Sequence, residues 1–485
     1  MADCTRRDFL RAAGAGAVGL FIRRRAFAAE VAPDKPNVIL CMTDDQGWGD
    51  CGYNGHKILK TPSLDAMSRQ GLRFDRWYSG APVCSPTRGS CLTGRHPYRY
   101  GIFFANVGHM KKEEITLAEA LKAQGYTTGH FGKWHLGTLT TKVKDSNRGR
   151  PGATRHYSPP WKNGFDVCFS TEAKVPTWDP MIKPGTKDEP YGTYYWDGPE
   201  QRVTENLEGD DSRIIMDRAI PFIRAAAKQK KPFLAVIWFH TPHLPVIAGG
   251  KYLEMYKDDP GKNYLGCITA MDDQVGRLRA ELKALGVADN TMLWFSSDNG
   301  PEGGKYNGTN GTAGPLRGRK RSLYEGGVRV PGLLVWPAKV TKPHIVKMPC
   351  CTSDYFPTVL DVLGFKMRGQ PEPIDGVSLV PLIEGKMTER PRPIGFESSG
   401  QISLTDNRYK LIRPRGSKRR KKPNAGGRSA GGADGFELYD LIEDPGEKKN
   451  LAADKPEIVK AMKETLLKWQ ASCKKSNAGK DYKQA

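Results

Sequence analysis

The chain lacks any run of about 18 apolar residues, the length an ordinary membrane-spanning helix needs. It also lacks a Cys-x-x-Cys pair. The ten cysteines stand scattered at 4, 41, 51, 84, 91, 168, 267, 350, 351 and 473. That excludes zinc-site spacing and a disulfide scaffold, and most of them read as small buried apolar residues. Glycine (54) and proline (35) are frequent but follow no period, which excludes collagen. No internal repeat is evident. Acidic residues are scarce beside basic ones, 53 against 75, leaving a net charge of +22 and a pI near 9.5. Such a balance favours anionic partners. Charge alone does not choose between nucleic acid, an anionic surface and an acidic substrate. With 38% hydrophobic and 26% charged residues, the 485-residue chain has a globular balance and room for one large or two modest domains.

The first thirty residues read as a sorting segment rather than as fold. Thr5-Arg6-Arg7-Asp8-Phe9-Leu10 precedes a weakly apolar stretch from Ala12 to Ile22. Ala26-Phe27-Ala28 then supplies the small-x-small pattern of a cleavage site. Residues 1–29 resemble a bacterial twin-arginine export signal, and Arg23-Arg24-Arg25 agrees with that route rather than ordinary secretion. The expected location is periplasmic or extracellular, with the twin-arginine machinery as a partner and no stable membrane anchor. Export in the folded state lets a cytoplasmic modification precede transit. The alternative is a basic amphipathic helix of the mature chain, which the Gly/Ala-rich core disfavours.

Four short apolar runs predict buried parallel strands: Val38–Met42, Thr127–Phe131, Phe233–Phe239 and Thr291–Phe295. Each delivers polar residues just past its carboxyl end: Asp44-Asp45, Lys133 with His135, His240 with His243, and Asp298-Asn299. Ligands of open α/β sheets bind at that edge, so four strands suggest one site. Segments 140–210 and 299–320 read as long loops over it. After residue 388 the character changes. Tyr409–Ile412 and Phe436–Asp440 predict two strands of a small sheet, and Ile458, Met462, Leu466 and Trp469 one face of a helix over 455–470.

The most specific run is Cys84-Ser85-Pro86-Thr87-Arg88, continuing through Gly89-Ser90-Cys91-Leu92 to Thr93-Gly94-Arg95. Further blocks follow in order around it: Asp44-Asp45-Gln46-Gly47-Trp48-Gly49-Asp50, Gly132-Lys133-Trp134-His135-Leu136-Gly137, Thr241-Pro242-His243-Leu244-Pro245, Ser297-Asp298-Asn299-Gly300, and Leu316-Arg317-Gly318-Arg319-Lys320 leading into Tyr324-Glu325-Gly326-Gly327. Together they resemble the type I, formylglycine-dependent sulfatases over about residues 36 to 470. The resemblance implies an alkaline-phosphatase-like α/β fold: a mixed, mostly parallel sheet sandwiched by helices. It implies a catalytic domain over 36–387 and a small α+β subdomain over 388–475. It further implies that a maturase oxidises Cys84 to formylglycine, and that sulfate esters are cleaved through a sulfo-enzyme intermediate with Ca²⁺ assistance.

The residues support that chemistry on their own terms. A hydrated aldehyde at position 84 supplies one hydroxyl to attack sulfur and a second to expel sulfate. Pro86 predicts a helix over 86–93, which sets residue 84 at a helix N-terminus suited to an oxyanion. Asp44, Asp45, Asp298 and Asn299 offer only oxygen donors, which favours Ca²⁺ first and Mg²⁺ second, with residue 84 as a further ligand. Arg88, Lys133 and Lys320 are expected to surround the sulfate. By resemblance, Asp298 takes the attacking hydroxyl's proton, His243 with Lys320 serves the leaving oxygen, and His135 assists sulfate departure. His240 is left between a supporting role and substrate contact. Ser170 is a loose candidate for a serine near the sulfate.

The basic stretch Arg413, Arg415, Lys418, Arg419, Arg420, Lys421, Lys422 and Arg428 reads either as a solvated loop or as a collar for a polyanion. The expected substrate is a sulfated carbohydrate or polysaccharide, not nucleic acid. Two other readings stay open: a phosphate or phosphonate ester hydrolase of the same superfamily, and a non-enzymatic polyanion-binding protein.

Overall fold

The apolar runs become strands because they alternate between two buried faces. In β1 (Asn37–Thr43), Val38, Leu40 and Met42 enter one hydrophobic core, and Ile39 and Cys41 enter the other. A strand buried on both sides needs apolar residues at every position, which is what a run such as Phe233–Trp238 supplies. The computed structural model describes residues 35–303, 310–416 and 434–482. The expected export signal over 1–29 and most of the basic stretch, from 417 to 433, lie outside the described residues.

The central strands are β1, β2 (Thr127–Lys133), β3 (Val167–Thr171), β4 (Phe233–Trp238), β5 (Thr291–Ser297) and β6 (Gly332–Val335). They stand in the order β6-β5-β1-β4-β2-β3 within a ten-stranded sheet whose edges carry short strands. The pairs β1/β4, β1/β5, β2/β4 and β2/β3 are parallel, and β6 runs antiparallel to β5. The sheet is therefore mixed and mostly parallel. One face is covered by α1 (Pro62–Gln70), α3 (Asp211–Lys228) and α4 (Lys262–Ala284). The other packs on α2 (Cys84–Thr93), through Cys91 and Leu92, and on Tyr355, Phe356 and Val359.

A separate antiparallel sheet follows, β7 (Ile394–Ser398), β8 (Gln401–Thr405), β9 (Tyr409–Arg413) and β10 (Glu437–Asp440), in that spatial order. The final helix, α5 (Pro456–Asn477), sets Met462 and Leu466 into its core, with Ile458 and Trp469 partly buried against it. All of this belongs to one unit from Asn37 onward.

Three expectations need adjustment. Helix α2 starts at Cys84, two residues before Pro86, so residue 84 is its first residue. Segment 140–210 is not all loop, since β3 lies inside it and pairs with β2. The small sheet holds the two expected strands, β9 and β10, and two more, β7 and β8. The nine cysteines among the described residues are buried and none forms a disulfide. No helix of the described residues is long and apolar enough to cross a membrane.

Candidate active site

Three parallel strands and one helix deliver five charged side chains and an amide to a single buried point. Asp44 and Asp45 follow β1, Lys133 closes β2, Asp298 and Asn299 follow β5, and Arg88 stands on α2. Lys320 arrives from a loop. Asp44, Asp45 and Asp298 are at most 1% exposed. Carboxylates so deep require compensation, and three cations supply it. Arg88 donates from Nη2 and Nε to Asp298 Oδ2 at 2.7 and 3.2 Å, and from Nη1 to the Lys133 carbonyl at 2.8 Å. Its Nη2 also lies 3.5 Å from Asp44. Lys133 pairs with Asp44, and Lys320 with Asp45 at 2.5 Å. Glu302, 3.4 Å from Lys320, joins the same network.

Backbone geometry aims these groups. Asp45 and His135 have φ of 69° and 57°, a left-handed conformation costing about 1–2 kcal/mol for a residue with a Cβ. Hydrogen bonds hold both: Asp45 N donates to Asp298 Oδ1 at 3.2 Å, and His135 N to the Glu172 carbonyl at 3.0 Å.

Cys84 is buried at the positive end of α2, all ten of whose residues are buried. Burial pushes its thiol pKa up, while Lys133 and Lys320 pull the other way. Asp44 is opposed by burial too, yet Lys133, His243, Arg88 and Lys320 hold it well below the usual carboxylate range. Asp298 is pushed up to about 7, first by burial and then by Asp44, against Arg88. Ligand atoms of Asp44, Cys84 and Asp298 all lie within 4.8 Å of one another, as do those of Asp44, Asp45 and His243. Asp44 Oδ1 and Asn299 Oδ1 are buried with no hydrogen-bond partner among the described residues, so two oxygens in this cluster keep free lone pairs. The oxygen-rich donor set fits a hard divalent cation.

The histidines separate by environment. His243 Nδ1 donates to the Leu244 carbonyl at 2.7 Å, leaving Nε2 3.6 Å from Asp45 Oδ2. Burial, reinforced by Lys320, keeps it well below the ordinary histidine pKa. His135 Nε2 meets Asn106 Oδ1 at 3.0 Å. His240 is fully buried between Asp211, at 2.8 Å, and Thr171, at 2.7 Å, so it supports the sheet edge from behind. Ser170 bonds His130 at 2.7 Å and is spent there.

A family profile described as Sulfatase matches residues 36–365. The chain belongs to the sulfatase family. It is a sulfuric ester hydrolase, and its fold is the alkaline-phosphatase-like one. It is 32% identical over 397 residues to mouse N-acetylgalactosamine-6-sulfatase, covering 78% of this chain and 72% of that one. It is 30% identical over 468 residues to human arylsulfatase A, covering 91% and 89%. Among solved structures, Ps i-CgsB in complex with k-i-k-neocarrahexaose superposes with a TM-score of 0.72 at 26% identity, covering 90% of this chain and 92% of that one.

The sulfatase site contains groups that the motifs did not announce. Lys174, three residues past β3, is partly buried and has no hydrogen bond or ion pair among the described residues. Burial and the charges of Lys133 and Lys320 lower its pKa, with Asp44 and Asp45 opposing. Arg148 and Glu172 pair at 2.9 Å beside His135. All three residues sit in loops without periodicity, where nothing in the sequence signals which side chain turns inward.

Proposed function

We propose that this sulfatase is exported by a bacterium and hydrolyses sulfate esters of a sulfated carbohydrate or polysaccharide, with Cys84 converted to formylglycine. The observation that carries the reading is the convergence of the Cys84 sulfur with oxygens of Asp44 and Asp298 within 4.8 Å, at the first residue of a buried helix. Conversion gives residue 84, as the hydrate, one hydroxyl to attack sulfur and one to release sulfate. Asp44, Asp45, Asp298 and Asn299 would hold Ca²⁺, with Mg²⁺ second, and the ion supplies Lewis acidity toward sulfate oxygens. By the family resemblance, Asp298, whose Oδ2 accepts from Arg88 at 2.7 Å, takes the proton of the attacking hydroxyl. His243 and Lys320 stand beside Asp45, where they serve the leaving oxygen. Lys133 and Arg88 neutralise charge around sulfate. Lys174, without a partner among the described residues, is a cation at the same edge suited to a second anionic group on the substrate.

Support for a carbohydrate comes from the names of its relatives and from the net charge of +22, which draws a polyanion. The twin-arginine-like residues 1–29 support export to the periplasm or beyond, after a cytoplasmic maturase has acted.

Matched sulfate and phosphate esters of one alcohol test the reaction. The expected kcat/KM favours sulfate by about 100-fold or more, and a preference for phosphate replaces this reading with that of a phosphate ester hydrolase. Dialysis against a chelator is expected to abolish turnover, and Ca²⁺ to restore it more fully than Mg²⁺. Undiminished activity after complete chelation contradicts the cation.

A further inference from the structure

A closed ring of hydrogen bonds encircles His135. An amide oxygen only accepts, so the 3.0 Å contact with Asn106 Oδ1 places a proton on His135 Nε2. The His135 backbone donates to the Glu172 carbonyl at 3.0 Å. Glu172 Oε1 accepts from Arg148 Nε at 2.9 Å, and Arg148 Nη1 donates to the Gly108 carbonyl at 2.6 Å. Gly108 is two residues beyond Asn106, which closes the ring. A second tie, Met110 N to the Leu136 carbonyl at 2.7 Å, fastens the same loop to the segment after β2. The Arg148 and Glu172 side chains are 10% and 0% exposed, so the strap is shielded from water. Asn106 has φ of 61°, a conformation that asparagine tolerates better than most residues.

His135 Nδ1 is the other end of this ring. It is buried and meets no hydrogen-bond partner among the described residues. Burial, then Lys133, Arg148 and Arg88, hold the imidazolium well below the ordinary histidine range, so the ring is neutral and exists as one of two tautomers. Only the tautomer protonated on Nε2 leaves a lone pair on Nδ1. The other carries its N–H on Nδ1, which then has no lone pair to take up a proton.

We propose that Asn106 is a positioning residue that fixes the tautomer of His135, with Arg148 and Glu172 strapping its loop in place. The proposal rests on the sulfatase reading for its catalytic consequence, but the tautomer can be read without turnover. Asn106→Gly removes the acceptor and accommodates the positive φ. Asn106→Asp keeps an acceptor. With 4-nitrophenyl sulfate, N106G is expected to lose about 10- to 100-fold in kcat with KM within about threefold, and N106D to recover most of the loss.

Nitrogen-15 NMR on histidine-labelled protein gives the independent readout. The chain has nine histidines, and the His135 resonance is identified by its disappearance in H135Q. Wild type and N106D are expected to carry the proton on Nε2, and N106G to populate both tautomers. An Nδ1-protonated ring in the wild type, or an unchanged tautomer in N106G, overturns the proposal. If the tautomer shifts as expected but the wild type cleaves no sulfate ester, the proposed function fails and the positioning role stands.

Discussion

Cys84→Ala is expected to lower turnover of any sulfate ester by about 10⁴-fold or more, because it removes the atom on which the chemistry is built. Stability should change little. Cys84 is buried and makes no hydrogen bond among the described residues, and alanine suits the start of a helix interior well. Binding of a sulfated polymer should persist, since Arg88, Lys133, Lys320 and Lys174 are untouched. Steady-state rates and equilibrium polymer binding on the same preparation check both halves. Loss of both together points to a misfolded protein. Retention of turnover removes residue 84 from the mechanism and favours a site that works through its aspartates alone. Cys84→Ser sharpens the comparison. A serine that stays a serine has a single hydroxyl, so it can attack once but lacks the second hydroxyl that expels sulfate. It should release at most one equivalent of alcohol.

Arg88→Ala carries the second large effect, on stability as well as rate. The guanidinium is fully buried, bonded to Asp298 and the Lys133 carbonyl, near Asp44, and 5.2 Å from the Trp238 ring centroid. Its removal strands Asp298 without its cation. Breaking a buried pair on one side costs about 3–5 kcal/mol. Activity should fall about 10³-fold, since a donor facing the developing charge is lost and Asp298 is displaced. Urea unfolding and kcat measure the two effects. Arg88→Lys keeps the charge but cannot reach Asp298 and the Lys133 carbonyl together, so it should regain part of the stability and little of the rate. An R88A protein as stable as wild type contradicts the electrostatic picture of the site.

These effects were visible to different degrees in the amino-acid sequence. The parallel strands were legible because burial on both faces demands continuous apolar runs, as in Phe233–Trp238 and Asn37–Thr43. Strand β3 was not: Val167 is exposed, and Ser170 and Thr171 make its run look like loop. In the small sheet, Ile394–Ser398 and Gln401–Thr405 carry glycine, serine and glutamine among their apolar residues, which hides their period. The sequence placed acids, lysines and histidines at strand ends, and the structure brings Asp44, Asp45, Cys84, Arg88, Lys133, Asp298 and Lys320 together there. What could not be read was pairing. That Arg88 sits on Asp298, or that Asn106 meets His135, depends on contacts between residues 210 and 29 positions apart. Such contacts are set by packing of the whole chain, not by local spacing.

Mass spectrometry of the peptide that contains residue 84, taken from protein whose activity has been titrated, tests the central claim most directly. The aldehyde and the thiol differ in mass. The fraction of chains carrying the aldehyde is expected to equal the fraction of active sites, and to fall to zero in protein made without a maturase. Fully active protein in which residue 84 is still cysteine contradicts the account.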